Sequence, residues 1–491
     1  MFAFSIFGTA KIIKHLRPLF LAATFFCLFT DSLFAQKVWT LEECIAYAKD
    51  NNISIRQSEL TQHSSEDALL QSKLSLLPNI NGSVNYYFNF GRTLDPTTYS
   101  YRTQSFQNGQ LTAQAGWDIF NGFQRQNTIK KNQFDLLASQ FTTETTVNNV
   151  LLFVVGGFLN VVYAKENLKI AQGQLQLSNQ QLTRTQALVS AGTLSEGSLY
   201  NIQAQEANDE LNQVTAQNTL DIAKLNLAQL LNVKDPIDVT IADVVISNDL
   251  LSELNVTVDS VYKLALQIQP QIKSAEYQVK SSEKSFSIAK GAQYPALSLF
   301  GSLSTNYSNA KQITGFDSIA GEPTTIGYLS STGDPVLAPN LIFLPIRSTP
   351  TFTRQFNDNF GEAFGISLNI PIFNNWQTRT NVSRSRINLL NQQLTLESTR
   401  QQLYKDVQTA YTDAVAAKNK YTASLKSVAS LQKAFDDAQR RFNLGAITSL
   451  DYITAQNNLL RSTSELLQSK YQYIFKLKEL EFYEGKPLTM Q

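Results

Sequence analysis

Four segments of the chain alternate apolar and polar side chains at every second residue, over residues 80–90, 111–119, 297–305 and 364–372. This period is typical of β-strands with one apolar face and one face of Asn, Ser, Thr and Gln. Each alternation lasts about ten residues, the length of a tilted strand that crosses a membrane. We therefore predict that the apolar face meets lipid, although a soluble β-sandwich would show the same alternation. The residues taken to represent the lipid-facing set are Leu111, Trp117, Ile366, Leu368 and Ile370.

Two long stretches with apolar residues three and four positions apart predict helical hairpins. The first runs from about residue 124 to 232 and turns at Gly192, and the second runs from about 377 to 484 and turns at Gly445. An outgoing arm of about 65 residues would be about 97 Å long at about 1.5 Å per residue. Helices of this length with a narrow apolar stripe are expected to pack against other helices over their whole length.

The order of strands and hairpins repeats within the chain. A proline that separates a helix from the next strand occurs at Pro78 and again at Pro295, 217 positions later. The turn glycines Gly192 and Gly445 are 253 positions apart, so the second copy carries an insertion of 36 residues between about 305 and 360. A repeat this long indicates duplication of a half-molecule rather than a solenoid. The predicted divisions are a signal peptide at 1–35, a first repeat at 36–256 with strands at about 79–120 and a closing linker belt, and a second repeat at 257–491 with strands at about 296–373 joined by a long extracellular loop.

The first 35 residues have the pattern of a secretory signal. Lys11, Lys14 and Arg17 precede an apolar run, and residues 33–35 end on an alanine that suits cleavage. An uncleaved membrane anchor is the alternative. A second apolar run, residues 150–164, is shorter than the about 20 residues of a spanning helix, and we predict that it packs against neighbouring helices.

The composition argues against nucleic-acid binding and against catalysis. The formal net charge is +1 and charged residues make up 16% of the chain, which leaves no concentrated basic face. Beyond the signal segment there is one histidine, His63, and one cysteine, Cys44, too few for a zinc site or a Ser-His-Asp triad. We expect no metal, no cofactor and no enzyme activity. No phosphate-binding loop occurs, so transport would take its energy from a partner.

Four strands in contact with lipid cannot close a barrel within one chain, and an open sheet edge is not tolerated in a membrane. We therefore predict an oligomer, since three chains of four strands give twelve, an even number of the kind that bacterial barrels have. The predicted fold class is an α+β membrane protein with two tandem repeats per chain and a trimeric 12-stranded outer-membrane β-barrel.

In their order, these parts resemble the TolC-like family of outer-membrane channels. The resemblance rests on residues 39–48, on the Pro78 and Pro295 junctions and on the glycine-centred turns of both copies. It implies a trimer in the outer membrane of a Gram-negative bacterium, with most of the chain in the periplasm as a long α-helical barrel. It also implies passive export of small molecules or proteins, in a tripartite efflux pump or a type I secretion system. The implied partners are a periplasmic adaptor (membrane fusion) protein and an inner-membrane pump.

The resemblance also indicates candidate residues at the turns. In the family, two aspartates that follow the turn glycine ring the periplasmic entrance. Here Asp451 occupies the first position and Thr454 the second, which makes both candidates for the channel gate. Asp451 equally fits a capping box at the start of the return helix, and the two roles are compatible. The candidates for adaptor contact, which also suit left-handed helix caps, are Gly192, Thr193, Leu194, Gly445, Ala446 and Ile447.

A scaffold is the alternative function from another class. In that case the chain would be a periplasmic or surface coiled-coil protein without channel activity, its alternating segments folded as a small sandwich. Such a protein would be released from cells without detergent. No residue pattern selects among drugs, metals, siderophores and proteins as the exported cargo.

Overall fold

The structure is a computed structural model of the chain. The predicted signal segment at 1–35 lies outside the residues that it describes, as does most of the linker predicted at 234–256. The described residues are 38–95, 99–103, 105–233, 240–242 and 256–489.

Nine helices occur in the described residues, and the four longest form the two predicted hairpins. The helices are α1 (Leu41–Asn51), α2 (Ile53–Leu74), α3 (Gln124–Ser190), α4 (Glu196–Leu231), α5 (Val258–Ile268), α6 (Pro270–Gly291), α7 (Phe352–Asp358), α8 (Gln377–Asn443) and α9 (Ser449–Tyr483). We call α3 with α4 hairpin 1, and α8 with α9 hairpin 2. Both begin and end within a few residues of the positions that the apolar stripe predicts.

The predicted duplication is confirmed by the lengths and spacing of the helices. Both α1 and α5 have 11 residues, and both α3 and α8 have 67. Their first residues keep the offsets found in the sequence, because Leu41 and Val258 are 217 positions apart and Gln124 and Gln377 are 253 apart. The two copies also share a local start signal, since the threonine before α1 and the threonine before α5 each close a capping box.

Twelve strands occur in the described residues, and four of them form one antiparallel sheet. The strands are β1 (Val38–Trp39), β2 (Asn79–Asn89), β3 (Thr93–Leu94), β4 (Tyr101–Arg102), β5 (Phe106–Asn121), β6 (Thr240–Ile241), β7 (Ala296–Ser308), β8 (Gln312–Ala320), β9 (Thr324–Tyr328), β10 (Pro335–Ala338), β11 (Leu341–Ser348) and β12 (Gly361–Asn369). The sheet order is β12–β7–β5–β2. These are the four predicted strands, and β5 of the first copy pairs with β7 of the second over most of their length.

Two predicted strand positions differ in the structure. Ile370 lies just beyond β12, which ends at Asn369, because the following Pro371 has no N–H to continue the ladder. Ile119 was expected to share a face with Trp117. The register instead shifts between Asp118 and Phe120, as in a β-bulge, and Phe120 lies opposite Leu297.

The insertion in the second copy has its own secondary structure, which the sequence did not predict. It folds as a β-ribbon over residues 312–348, in which β8 pairs with β11 and β9 pairs with β10, both antiparallel. The short helix α7 follows and packs against β7. We call residues 312–348 the ribbon.

The described residues form two compact units. The first, drawn from Met1–Leu60, Phe141–Ile272 and Ser398–Gln491, contains both hairpin turns and the main apolar core. The second, Thr61–Gln140 and Lys273–Glu397, contains the four-stranded sheet and the ribbon.

The apolar run at 150–164 packs as predicted. It lies inside α3, a helix that by length and composition could cross a membrane. Val154, Val155 and Phe158 are nevertheless wholly buried in the core of the first unit, against side chains of α1, α4 and α9. The run is therefore the core segment of the helix on one side, while Phe153 on the other side is exposed.

Candidate functional site

The register of the sheet brings the apolar positions of all four strands onto one face. Residues directly opposite each other in neighbouring strands carry their side chains on the same side of the sheet. The apolar rows are Ile80, Ala115, Gly301 and Phe364; Trp117, Leu299 and Ile366; Val84 and Leu111 with Thr305; and Leu297 with Leu368. Of the five residues predicted to face lipid, four therefore share one face of one sheet, and Ile370 lies beyond it.

The opposite face of the sheet is polar. Its rows are Asn81, Gln114 and Ser302; Ser83, Thr112 and Ser304; and Asn85, Gln110 and Asn306. Phe300 interrupts this face, and its ring covers Gly365, where an added Cβ would lie 2.5 Å from the ring. A sheet with this asymmetry can separate an apolar medium from water.

Most of the apolar face is uncovered in a single chain. Phe364 is 94% exposed and Ile366 is 70% exposed, while Leu111 is half-buried. The Trp117 indole is also exposed, and its N–H donates to the carbonyl oxygen of Leu76 at 2.8 Å. Among the described residues, the outer strands β2 and β12 each keep one edge without a partner strand. The apolar face thus requires an apolar surface or medium from outside the chain, and the two edges require partner strands.

The turns of the two hairpins have the same backbone structure. Gly192 and Gly445 have φ of +74° and +69°, the left-handed conformation predicted for them. In hairpin 1 the N–H of Thr193 donates to the Leu188 carbonyl and that of Gly192 to Val189, both at 2.9 Å.

The same two bonds recur in hairpin 2. The N–H of Ala446 donates to the Arg441 carbonyl at 2.9 Å and that of Gly445 to Phe442 at 3.0 Å. This pair of bonds is the Schellman motif, and it satisfies the last carbonyls of both outgoing helices.

The return helices begin with equivalent caps of different charge. In α9 the Asp451 carboxylate accepts from the Thr448 N–H at 3.2 Å and from the Thr448 hydroxyl at 2.7 Å. The Asp451 N–H in turn donates to the Thr448 hydroxyl at 3.2 Å, so the predicted capping box is confirmed. In α4 the same positions are Ser195 and Ser198, whose hydroxyls lie 3.2 Å apart. The position three residues after the cap therefore carries a carboxylate only in hairpin 2, whereas the acidic residue in the first turn of α4 is Glu196, directly after the cap.

Thr454 and the carboxylate of Asp451 are both exposed near the second turn. The Thr454 hydroxyl donates to the carbonyl of Leu450 at 2.8 Å, one helical turn earlier. A further bond joins the two hairpins at this level, because the Asn201 amide donates to the Ser449 hydroxyl at 3.3 Å. The gate role of Asp451 and Thr454 stays a prediction, and their positions in one chain are compatible with it.

An aromatic cluster lies behind the turns and joins the hairpins. The rings of Phe442 and Tyr452 stack with centroids 4.9 Å apart, and Phe435 lies 5.8 Å from Tyr452. Ile202 of hairpin 1 is buried in the same cluster. Burial raises the pKa of the Tyr452 phenol and the Asp209 charge adds to this, against an interaction with Gln439 that lowers it.

Three apolar side chains at the turns were missed by the sequence analysis. Leu444 is 82% exposed, and Leu450 and Tyr200 are mostly exposed as well. Ile447, a predicted contact residue, is instead partly buried against the aromatic cluster. Leu444 lies one residue beyond α8, which ends at Asn443, so the helical apolar spacing that reaches the buried Phe442 does not indicate its exposure.

A buried polar network fixes hairpin 1 above its turn. The wholly buried Asp209 of α4 accepts from Gln205 at 3.0 Å, from Gln174 at 3.4 Å and from Ser178. Because these donors come from both α3 and α4, one carboxylate holds the two arms of the hairpin together.

The same network extends to hairpin 2. The side-chain amides of Gln205 and Asn457 of α9 donate to each other in two hydrogen bonds of 3.2 Å and 3.1 Å. Gln456 of α9 donates to Ser178 of α3 at 3.4 Å. Side-chain hydrogen bonds, and not apolar contact alone, therefore set the position of one hairpin against the other.

A one-sided sheet with two unpartnered edges and two long helical hairpins in the same chain are the features expected of the class of outer-membrane channels. Residues 45–233 and 261–486 match the family described as outer membrane efflux protein. The chain is similar to the outer membrane efflux protein BepC of Brucella suis, with 21% identity over 435 residues that cover 89% of this chain and 83% of BepC. It is also similar to the outer membrane protein TolC of Escherichia coli, with 21% identity over 433 residues that cover 87% of this chain and 78% of TolC.

A solved structure of CusC has the same fold. It superposes with a TM-score of 0.71 at 18% identity, covering 93% of this chain and 96% of that chain. The chain belongs to the outer membrane efflux protein family, and the TolC-like resemblance is confirmed. Proteins of this family are channels of the Gram-negative outer membrane with a large periplasmic part, which confirms the predicted location and favours an export channel over a scaffold.

Proposed function

We propose that three copies of this chain form a passive exit duct through the outer membrane and periplasm, serving a tripartite efflux pump or a type I secretion system. The main support for this proposal is the register of the sheet, which places apolar residues on one face and polar residues on the other. In a closed barrel the apolar face meets lipid and the polar face lines an aqueous lumen.

The free edges of the sheet support closure by other copies. Neighbouring strands are antiparallel throughout the order β12–β7–β5–β2, so the two outer strands run in opposite directions. Placing β12 of one copy beside β2 of the next continues the antiparallel pattern. Three copies then give twelve strands with no free edge, as a membrane requires.

The turn end of the hairpins is proposed as the periplasmic entrance and the adaptor contact. Six turn residues and three exposed apolar side chains form this surface, and Asp451 with Thr454 is the candidate gate. The contact residues are Gly192, Thr193, Leu194, Gly445, Ala446 and Ile447 together with Tyr200, Leu444 and Leu450. The periplasmic adaptor connects this end to an inner-membrane pump, which supplies the energy.

Two measurements on the purified full chain test the proposal. We expect heat-labile trimers on gels and stepwise conductance in planar lipid bilayers. Folded trimers that pass no current, both as the full chain and with residues 313–347 replaced by a two-residue turn, would contradict the duct. A folded monomer released into buffer without detergent would support the scaffold instead.

A further inference from the structure

The ribbon has apolar side chains on both of its faces. Opposite residues again share a face, so one face carries Phe316 with Pro345 and Phe343 with Ser318. The other face carries Ile319 with Ile342, and Leu344 beside Asp317. The large apolar residues of the ribbon that are exposed in one chain are Ile313, Phe316, Ile319, Ile326, Tyr328, Leu329, Val336, Leu337, Leu341, Ile342, Phe343, Leu344 and Ile346. A two-stranded ribbon in water keeps at least one polar face, and an isolated one is marginally stable.

The paired centre of the ribbon is balanced in charge, while the whole ribbon carries three acidic residues and one basic residue. Residues 312–348 contain four charged residues, Asp317, Glu322, Asp334 and Arg347. The paired central part of β8 and β11 contains only Asp317 and Arg347, which have opposite signs. Pro345 within β11 lacks an N–H and so weakens that edge as a template for another strand. Contact through the side-chain faces is thereby favoured over addition at the edge.

Hydrogen bonds hold the chain just before the ribbon at the end of strand β7. Buried Gln355 of α7 accepts from the Ser308 N–H and donates to the Ser308 carbonyl, both at 2.8 Å. The Ser308 hydroxyl also donates to the buried Asp95 at 3.2 Å. Two further bonds of 2.8 Å and 3.0 Å join Asn309 to Gln107 of β5. The residues that precede the ribbon, at positions 308 and 309, are thus hydrogen-bonded to the end of the sheet.

The apolar side of β7 at this root is already occupied. The Thr305 hydroxyl donates to the Phe356 carbonyl at 2.9 Å, and the rings of Tyr307 and Phe352 lie 5.7 Å apart. Both Thr305 and Tyr307 are on the lipid-facing parity, opposite Leu111 and Gly109. Because α7 occupies the lipid-facing side at the root, the mouth of the proposed barrel is the side left open to the ribbon.

We propose that the three ribbons of a trimer pack together through their apolar faces as a cap over the outer mouth of the duct. This inference rests on the proposed function. The nine residues of β8 extend about 30 Å at about 3.4 Å per residue. A barrel of about twelve strands, about 4.8 Å apart and tilted by about 40°, has a radius of about 12 Å. Each ribbon is therefore long enough to reach the three-fold axis and contact its copies.

Conductance measured with and without the ribbon tests the cap. Gln312 and Ser348 are paired across the ribbon's root. An Asn-Gly turn can therefore replace residues 313–347 and still join these two residues as a hairpin. We expect the shortened chain to form heat-labile trimers and to conduct several-fold more per channel than the full chain. Full-length trimers that conduct as well as the shortened ones would overturn the cap. If neither conducts, the proposed duct fails and the cap with it.

Cross-linking tests the contact between copies directly, and a charge variant covers the case in which the shortened chain misfolds. Phe343→Cys should give disulfide-linked dimers on mild oxidation, whereas Ser348→Cys at the root should not. Phe343→Asp should raise conductance, as the replacement of residues 313–347 should. Thr353→Asp in α7 should leave conductance unchanged. No link at position 343, as expected for a ribbon lying on lipid or on a different protein, would overturn the proposal.

Discussion

Gly192 and Gly445 determine the hairpin turns through backbone conformation alone. A Cβ added at either glycine would have no heavy atom within 4 Å, so space does not restrict these positions. The positive φ does, because a non-glycine residue in this region costs about 1–2 kcal/mol and a β-branched one more.

We expect Gly445→Val to lower hairpin stability by about 2 kcal/mol and Gly445→Asn by clearly less, because asparagine tolerates the left-handed region. Thermal unfolding followed by far-UV circular dichroism measures both. Equal melting temperatures for the two variants would mean that side-chain size, and not φ, controls this turn.

Neighbouring residues on β12 test the two faces of the sheet. Leu368 lies opposite Leu297 on the apolar face, and Ser367 lies opposite Ser298 on the polar face. We expect Leu368→Arg to cost about 2–4 kcal/mol in a lipid bilayer, and Ser367→Arg to cost little. Urea titration of the protein in lipid vesicles measures the difference. Equal tolerance at the two positions would remove the assignment of the apolar face to lipid.

The alternation of apolar and polar residues predicted which side of each strand is apolar. It did not predict where the regular strand pairing ends. Alternation placed Trp117 and Ile366 correctly on one face, because a half-buried strand requires a period of two. It carried the pattern through Ile119, where the register shifts, and through Ile370, which precedes a proline. Both errors concern backbone hydrogen bonding, which side-chain hydropathy does not report.

At the scale of elements, the helical hairpins pack through a seam that is partly polar. On α8 the apolar residues Leu425, Phe435 and Phe442 are spaced as on one helical face, yet Phe435 and Phe442 are buried and Leu425 is exposed. Four of the buried positions of α9 are serine or glutamine, namely Ser449, Gln456, Ser462 and Ser469. Small polar residues allow close approach of helices while satisfying their own hydrogen bonds, so hydropathy alone could predict the helices but not the complete packing surface.

The Asp209 network provides a test of that seam. Asp209→Ala leaves the donors of Gln174, Ser178 and Gln205 without their acceptor, and we expect a loss of about 2–4 kcal/mol. The neighbouring Glu210→Ala is the matched control, because Glu210 is exposed and its removal should cost little. Urea unfolding followed by far-UV circular dichroism compares the two. Similar midpoints would mean that apolar contacts alone fix the hairpins.

At the scale of the whole molecule, duplication explains why the general plan could be predicted while the ribbon could not. The two copies confirm each other wherever both exist, since each hairpin and each strand pair has a partner at a constant offset. The insertion has no counterpart in the first copy, and its Gly, Pro, Ser and Thr content is typical of a loop. Its pairing depends on β8 and β11 meeting across more than twenty residues, which local pattern does not indicate.

The turn end gives the last prediction, which separates duct formation from docking. Leu444 is the most exposed large apolar residue at the turns, and its removal from water requires a partner. We expect Leu444→Asp to reduce export in cells carrying the complete pump, while purified trimers keep their conductance in bilayers. Leu425→Asp is the control, because Leu425 is also exposed on α8 but lies about five helical turns before the glycine. If Leu444→Asp trimers lose conductance, Leu444 is needed for the duct itself. If export in cells is unimpaired, Leu444 is not part of the adaptor contact.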